Sequence, residues 1–308
     1  MTTHAPTRPA PRAAPPFSRW RYAGFALSLA VILLTLGALA WTGLPLGLDF
    51  SGGALVEASS PVPWEAGALR AALAAQGLAE AGVQLADGGR TALVRAADAS
   101  EATLGAIRAA LGEGAEIRRQ DAVGPRVSAE LFRDGALASF GAVAAIAVYV
   151  WLRSEAKFGA AAFITTLRDV IAMVGFYAVT RLSFDLTSVA ALLAIAGCSI
   201  NDTVVVFDRI RETLARMSPD AALPDVIDRA ISDTLRRNLM TSGSTLAASV
   251  ALMVFGGPVL FGFAAAVSFG IVLGTFSSIF VAAPLLLHLP GRLPGRAPAE
   301  PQPFADAP

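Results

Sequence analysis

The sequence predicts an α-helical membrane protein of six spans, with a small α+β domain inserted after the first. Three observations predict it. Of 308 residues, 55% are hydrophobic and only 16% charged, and the mean hydropathy of +0.59 is too high for a soluble domain of this size. Uncharged runs long enough to cross about 30 Å of hydrocarbon recur along the chain. Between the first two runs, residues 46–133 have ordinary charge density and short alternating elements.

Residues 1–21 are rich in Pro and Ala and carry Arg8, Arg12, Arg19 and Arg21 without an acid, so a disordered basic tail is expected. No charge follows until Asp49. Ala38-Leu39-Ala40 resembles a signal cleavage site, but the apolar run exceeds the about 7–15 residues of a signal core. An uncleaved first span over 22–45 is therefore expected.

The inserted region opens with Leu48-Asp49-Phe50-Ser51-Gly52-Gly53, an expected tight entry in which the glycines supply positive φ. A strand follows at 54–58. A helix over 64–76 would put Leu69 and Leu73 on one face. The runs at 83–85 and 91–94 flank Asp87-Gly88-Gly89, a hairpin signal. A helix at about 101–111 and a strand near 116–118 complete the order βαββαβ, which predicts a ferredoxin-like domain.

Four further apolar segments are expected at 134–152, 158–180, 186–207 and 238–255, and a last one at 259–289, with Gly256-Gly257-Pro258 as the break in the final pair. Residues 208–237 form a polar connector with helical periodicity at Ile210/Leu214 and Val226/Ile227/Ala230/Ile231, expected to lie along the membrane surface. Six spans leave both ends on one side. That side carries the basic tail, Arg153 and Lys157, the arginines of the connector, and Arg292 and Arg296 of a second expected tail over 292–308, whereas the short loops opposite hold only Arg181. The positive-inside rule makes both termini cytoplasmic and the inserted domain extracytoplasmic.

Several function classes fall away. A formal net charge of +0 argues against nucleic acid. Lys157 is the sole lysine and no glycine-rich run precedes it, so no phosphate loop of the common kind is present. Cys198 stands alone, read as a buried thiol, and His4 and His288 lie near opposite ends, so neither a disulfide, a metal site nor any other cofactor is expected. An enzyme is disfavoured by the lack of a nucleophile–base set.

The residues that invite a function are charges at membrane depth. An ionisable group there costs roughly 2.5–3.5 kcal/mol on insertion scales, so it faces a partner, a cavity or an ion path. Asp202 lies five residues inside the end of the fourth span, and Arg237 opens the fifth on the same side. A guanidinium favours the charged carboxylate and loss of water the neutral one, so exchange between the two would let Asp202 load and release a proton. A static ion pair fixing helix packing is the alternative. Asp169 lies near the middle of the third span, beside Arg168 but about 100° round the helix, so the two need not pair. Asn201, Ser199, Thr203 and Thr187 add polar groups to the fourth span and, with Asp202, outline a hydrated seam. Gly270 and Gly274 suggest close helix contact in the last span.

Taken together, GLDFSGG (47–53), VGPRVSAEL (123–131), RDV (168–170), GCSINDTVVVFDRIRE (197–212) and TLRRNLMTS (234–242) resemble the SecF family of protein-export membrane proteins. The resemblance covers essentially 21–288. It implies an accessory subunit of the Sec translocase of the bacterial cytoplasmic membrane, paired with a SecD-like subunit, associated with the SecYEG channel and similar to RND exporters. Such a subunit promotes translocation of a polypeptide at the expense of the proton gradient, without hydrolysing ATP. It also implies that Asp202 and Arg237 are linked to proton movement. Two departures stand out: Cys198 replaces a common aromatic, and Arg168 replaces a frequent His, which weakens any role for the third span that depends on a His–Asp pair. A purely structural membrane subunit and half of a small-molecule RND-type antiporter remain the other readings.

Overall fold

The structure, a computed structural model, describes residues 15–153, 155–217 and 221–290. It divides into two compact units. One contains the chain up to Trp41, Val143–Val179 and the chain from Ala191 on; the other contains Thr42–Ala142 and Thr180–Ala190.

Six helices are long and apolar enough to cross a membrane: Phe17–Thr42, Pro125–Leu152, Ala156–Thr180, Leu186–Arg216, Leu223–Phe255 and Leu260–Leu285. The protein is a multi-pass membrane protein, mostly helical, with one small antiparallel sheet among the described residues.

The smaller unit is built on that sheet. β1 (Gly53–Ser59), β2 (Gly82–Ala86), β3 (Thr91–Ala96) and β4 (Glu116–Val123) lie in the order β2-β3-β1-β4, every neighbouring pair antiparallel. Before the sheet, α1 (Arg21–Thr42) leads to a one-turn helix α2 (Leu48–Ser51); α3 (Ala66–Ala75) and α4 (Glu101–Leu111) connect strands. Alternate residues of β1, Ala54, Val56 and Ala58, are buried with Leu69 and Leu73 of α3 and Leu104 and Ile107 of α4. Period two on the strand thus meets period 3.6 on the helices in one apolar layer. The β2–β3 turn holds Asp87, Gly88 and Gly89 at φ of 51°, 65° and 91°. A side chain at Gly89 would meet the Trp64 carbonyl, which explains that glycine.

The GLDFSGG segment acts as a junction within this unit. Gly47 N–H donates to the Phe184 carbonyl at 2.6 Å, and a Cβ at Gly47 would press on Asp185. The Asp49 carboxylate accepts from the Leu186 N–H at 3.0 Å, at the start of the fourth span. Arg181 Nη1 donates to the carbonyls of Thr42 and Gly43 at 2.9 and 3.1 Å. Side chains therefore satisfy backbone groups that helix ends leave open.

In the larger unit lie the later parts of α5 (Pro125–Arg153), α6 (Ala156–Thr180) and α7 (Leu186–Arg216), with α8 (Leu223–Phe255) and α9 (Gly257–Ser277). The helix α5 starts ahead of its uncharged run, with Pro125 at the first position, where a missing N–H is harmless. At 31 and 33 residues, α7 and α8 are on the order of 46 and 50 Å long, more than the hydrocarbon spans, so their charged ends project beyond it. The expected surface helix over 208–237 is corrected here: the helical residues described in that range are the continuation of α7, to Arg216, and the beginning of α8, from Leu223. Ile210, Val226, Ile227, Ala230 and Ile231 are buried with Phe158, Val206 and Phe207, so protein rather than lipid takes up the apolar stripe. Arg209 binds Asp233 at 2.6 Å across the two helices.

The expected disorder of 1–21 is corrected at its end. Phe17–Trp20 form a 3₁₀ turn, and Asp228 of α8 accepts from Ser18 N at 2.6 Å and Ser18 Oγ at 2.9 Å. A carboxylate there satisfies the open N–H of a helix start. Residues 1–14 and the tail expected over 292–308 lie outside the described residues. The last span departs from plain α-helix at Ser278–Ala282, a π turn just before Pro284, whose ring cannot donate to the regular ladder.

Candidate functional site

The site is a polar seam between α6, α7, α8 and α9, all within the larger unit. Asp169 is only 1% exposed and Arg168 5%. Arg168 Nη1 meets Asp169 Oδ1 at 2.7 Å, so adjacent residues on one helix do pair. The flexible stem of the arginine turns its head back over the neighbouring carboxylate. Arg168 Nη1 also donates to Ser277 Oγ of α9 at 3.3 Å, and Ser199 Oγ of α7 donates to Asp169 Oδ2 at 2.6 Å.

One turn along α7 from Ser199, Asp202 is 9% exposed and accepts from Ser242 Oγ of α8 at 3.3 Å. Ser242 in turn accepts from Thr275 Oγ1 of α9 at 2.9 Å. A chain of hydroxyls from two helices thus ends on the acid. Arg237 is exposed, and no ion pair joins it to Asp202 among the described residues. The hydrogen bond to Asp202 comes instead from Ser242, one turn and a residue further along α8 than Arg237. Serine carries no formal charge and offered no signal in the sequence.

A cavity of about 60 Å³ opens beside Asp202 and is lined by Ser199, Asn201, Ser242, Thr275 and Gly274, among others. That volume holds a few waters. Cys198 lines it too and is exposed, which corrects its reading as a buried thiol. Gly270 and Gly274 make the close approach of α9: a Cβ at Gly270 would lie 2.6 Å from Ile195, and one at Gly274 would touch Ser199.

Of the sequence-predicted residues, Asp202, Asn201 and Ser199 line the cavity, and Asp169 and Arg168 join it through Ser199. Thr203 is buried away from the cavity wall, and Thr187 serves the start of α7, donating to Asp185 at 2.6 Å. No group of three or more His, Cys, Asp or Glu gathers to hold a metal among the described residues.

Six apolar helices with paired and unpaired charges at lipid depth, and one small sheet domain inserted after the first, define a polytopic membrane protein with a polar core. Comparison with known proteins narrows this. The family model described as "Protein export membrane protein SecD/SecF, C-terminal" matches residues 103–292. Protein translocase subunit SecF of Vibrio alginolyticus is 40% identical over 281 residues, covering 89% of each chain. That of Cereibacter sphaeroides is 39% identical, covering 84% of this chain and 85% of its own. The solved structure of SecDF from Thermus thermophilus, described as a translocon-associated membrane protein, superposes with a TM-score of 0.82 at 31% identity over 90% of this chain. SecDF in its super-membrane-facing form gives 0.65 at 32% identity over 93%. This chain spans 39% and 40% of those two SecDF chains. The chain belongs to the SecF family of protein translocase subunits.

Proposed function

We propose that this chain is the SecF half of a Sec translocase accessory unit that works with a SecD-like membrane subunit beside the SecYEG channel and uses the proton motive force to promote export of a polypeptide. The observation that carries this reading is the position of Ser199. It donates to Asp169 and also lines the cavity that Asp202 enters, so two lipid-depth carboxylates share one wettable seam. A carboxylate held by a serine, with a guanidinium near but unpaired, is free to exchange a proton with water in that seam.

A SecD-like partner is supported by what this seam leaves uncovered. Cys198, Asn201, Thr241 and Arg237 are exposed on α7 and α8 at or near membrane depth. An amide and a guanidinium facing lipid are costly, and a second protein surface would relieve the cost. In this reading the smaller unit is a ferredoxin-like domain on the extracytoplasmic side, both termini are cytoplasmic, and the membrane is the bacterial cytoplasmic membrane. The βαββαβ element order and the arginine-rich connector support that placement.

The test is Asp202→Asn in the assembled translocase, which keeps shape and removes the charge. Export that depends on the proton gradient should fall to the level seen without a gradient; full gradient-dependent export would overturn the reading. The structural reading draws support from the Arg168–Asp169 pair, whose short contact suits a fixed anchor of the third span.

A further inference from the structure

Thr166, Thr203 and Asn238 are each at most 2% exposed, and Thr166 Oγ1, Thr203 Oγ1 and Asn238 Nδ2 have no hydrogen-bond partner among the described residues. A buried polar atom without a partner is rare in proteins and is commonly met by an internal water. In hydrocarbon the cost of leaving it open is higher still.

The three come from three helices and fall within about one helical turn of one another along the bundle. Thr166 precedes Asp169 by three residues on α6, Thr203 follows Ser199 by four on α7, and Asn238 precedes Ser242 by four on α8. Each is therefore about one turn, or roughly 5–6 Å, from a seam residue and on nearly the same helix face. Consecutive spans alternate in direction, so a step back along α6 and α8 and a step forward along α7 all lead the same way, toward the charged ends of α7 and α8. Hydrogen bonds already bring the starting points together, Ser199 to Asp169 and Ser242 to Asp202. Arg168 Nε and Nη2, also without a protein partner among the described residues, add open donors beside these residues.

We propose that Thr166, Thr203 and Asn238 form a second polar layer that holds internal water and connects the Asp169–Asp202 seam to the end of the bundle bearing the α7–α8 ion pairs. Protons released by the acids then leave toward that end through water held by two hydroxyls and one amide. This rests on the proton-coupling function proposed above. The layer adds a route that has no ionisable group of its own, which is why charge alone does not reveal it.

The test is proton flux in sealed vesicles carrying the full chain with its membrane partner. Thr203→Val and Asn238→Leu keep size and remove the polar atom, and together should slow flux roughly tenfold or more, the effect of about one hydrogen bond's free energy on the barrier. Thr203→Ser and Asn238→Gln should restore it. Asp202→Asn in parallel reports on the underlying function. Unchanged flux in the Val/Leu variant while Asp202→Asn abolishes it would overturn the water layer and leave the function standing; unchanged flux in Asp202→Asn would overturn the function itself. If the Val/Leu variant does not assemble, Thr203→Ala decides: it removes the same hydroxyl without adding bulk, so slowed flux that Thr203→Ser restores supports the layer and flux at the wild-type rate overturns it.

Discussion

Ser199 Oγ lies 2.6 Å from Asp169 Oδ2, bridging the fourth span to the third at the most deeply buried acid among the described residues. The bond uses the carboxylate oxygen that Arg168 leaves open, since Arg168 holds Oδ1. Three groups from two helices are thus locked in one arrangement.

Removing that hydroxyl should cost stability. Ser199→Ala is expected to lower the unfolding free energy by about 1.5–3 kcal/mol, the range for a hydrogen bond to a charged group. Thermal unfolding in detergent measures it. A change within ~0.5 kcal/mol would mean that Arg168 alone satisfies the acid.

Breaking the buried pair on one side should be worse than replacing both members. Asp169→Leu leaves an uncompensated guanidinium and is expected to cost about 3–5 kcal/mol, whereas Arg168→Met with Asp169→Leu should recover most of it. A double-mutant cycle on membrane accumulation and melting temperature reads the coupling. Additive losses would show that the pair does not act as a unit.

The approach of α9 to α6 and α7 depends on having no side chain at Gly270, where a Cβ would lie 2.6 Å from Ile195 and 2.9 Å from Met173 Sδ. Gly270→Val should destabilise by about 1–3 kcal/mol through overpacking. Truncating the neighbour with Ile195→Ala should partly rescue it. Equal stability of Gly270→Val and wild type would refute the tight contact.

Asp49 caps the fourth span by accepting from Leu186 N–H at 3.0 Å. Asp49→Ala should cost about 1 kcal/mol and raise hydrogen exchange at the first turn of α7 selectively. Uniform exchange across the chain would point to a different cause.

At the start of α4, the hydroxyls of Ser100 and Thr103, in that order of effect, hold the Asp98 carboxyl below its ordinary range. Because the folded value is lower than the unfolded one, the contribution is complete above about pH 4 and is lost as pH falls through the folded value. Protection of the α4 amides against hydrogen exchange should therefore decline on acidification below about pH 4. In Asp98→Asn this acid step should vanish, and its persistence would assign the step to another group.

Much of this protein is legible in one dimension. Hydropathy runs mark all six spans, because a bilayer imposes a minimum apolar length on every crossing. The alternation in β1 and the Leu69/Leu73 spacing mark the small sheet and its helix, because side-chain periodicity follows from backbone geometry alone. The conspicuous charges Asp169 and Asp202 mark the seam, since their cost in lipid demands a reason.

What local pattern could not decide is who faces whom. Arg168 turned to its own neighbour, Asp202 took Ser242 rather than Arg237, Asp228 captured Ser18 from 210 residues away, and the connector's apolar stripe packed on Phe158 and Phe207 instead of lying on lipid. Composition and periodicity determined that these helices exist and how deep their acids sit. Only the tertiary structure decided the partners, because hydrogen bonds reach about 3 Å and depend on helix rotation and side-chain rotamer, which no linear spacing encodes.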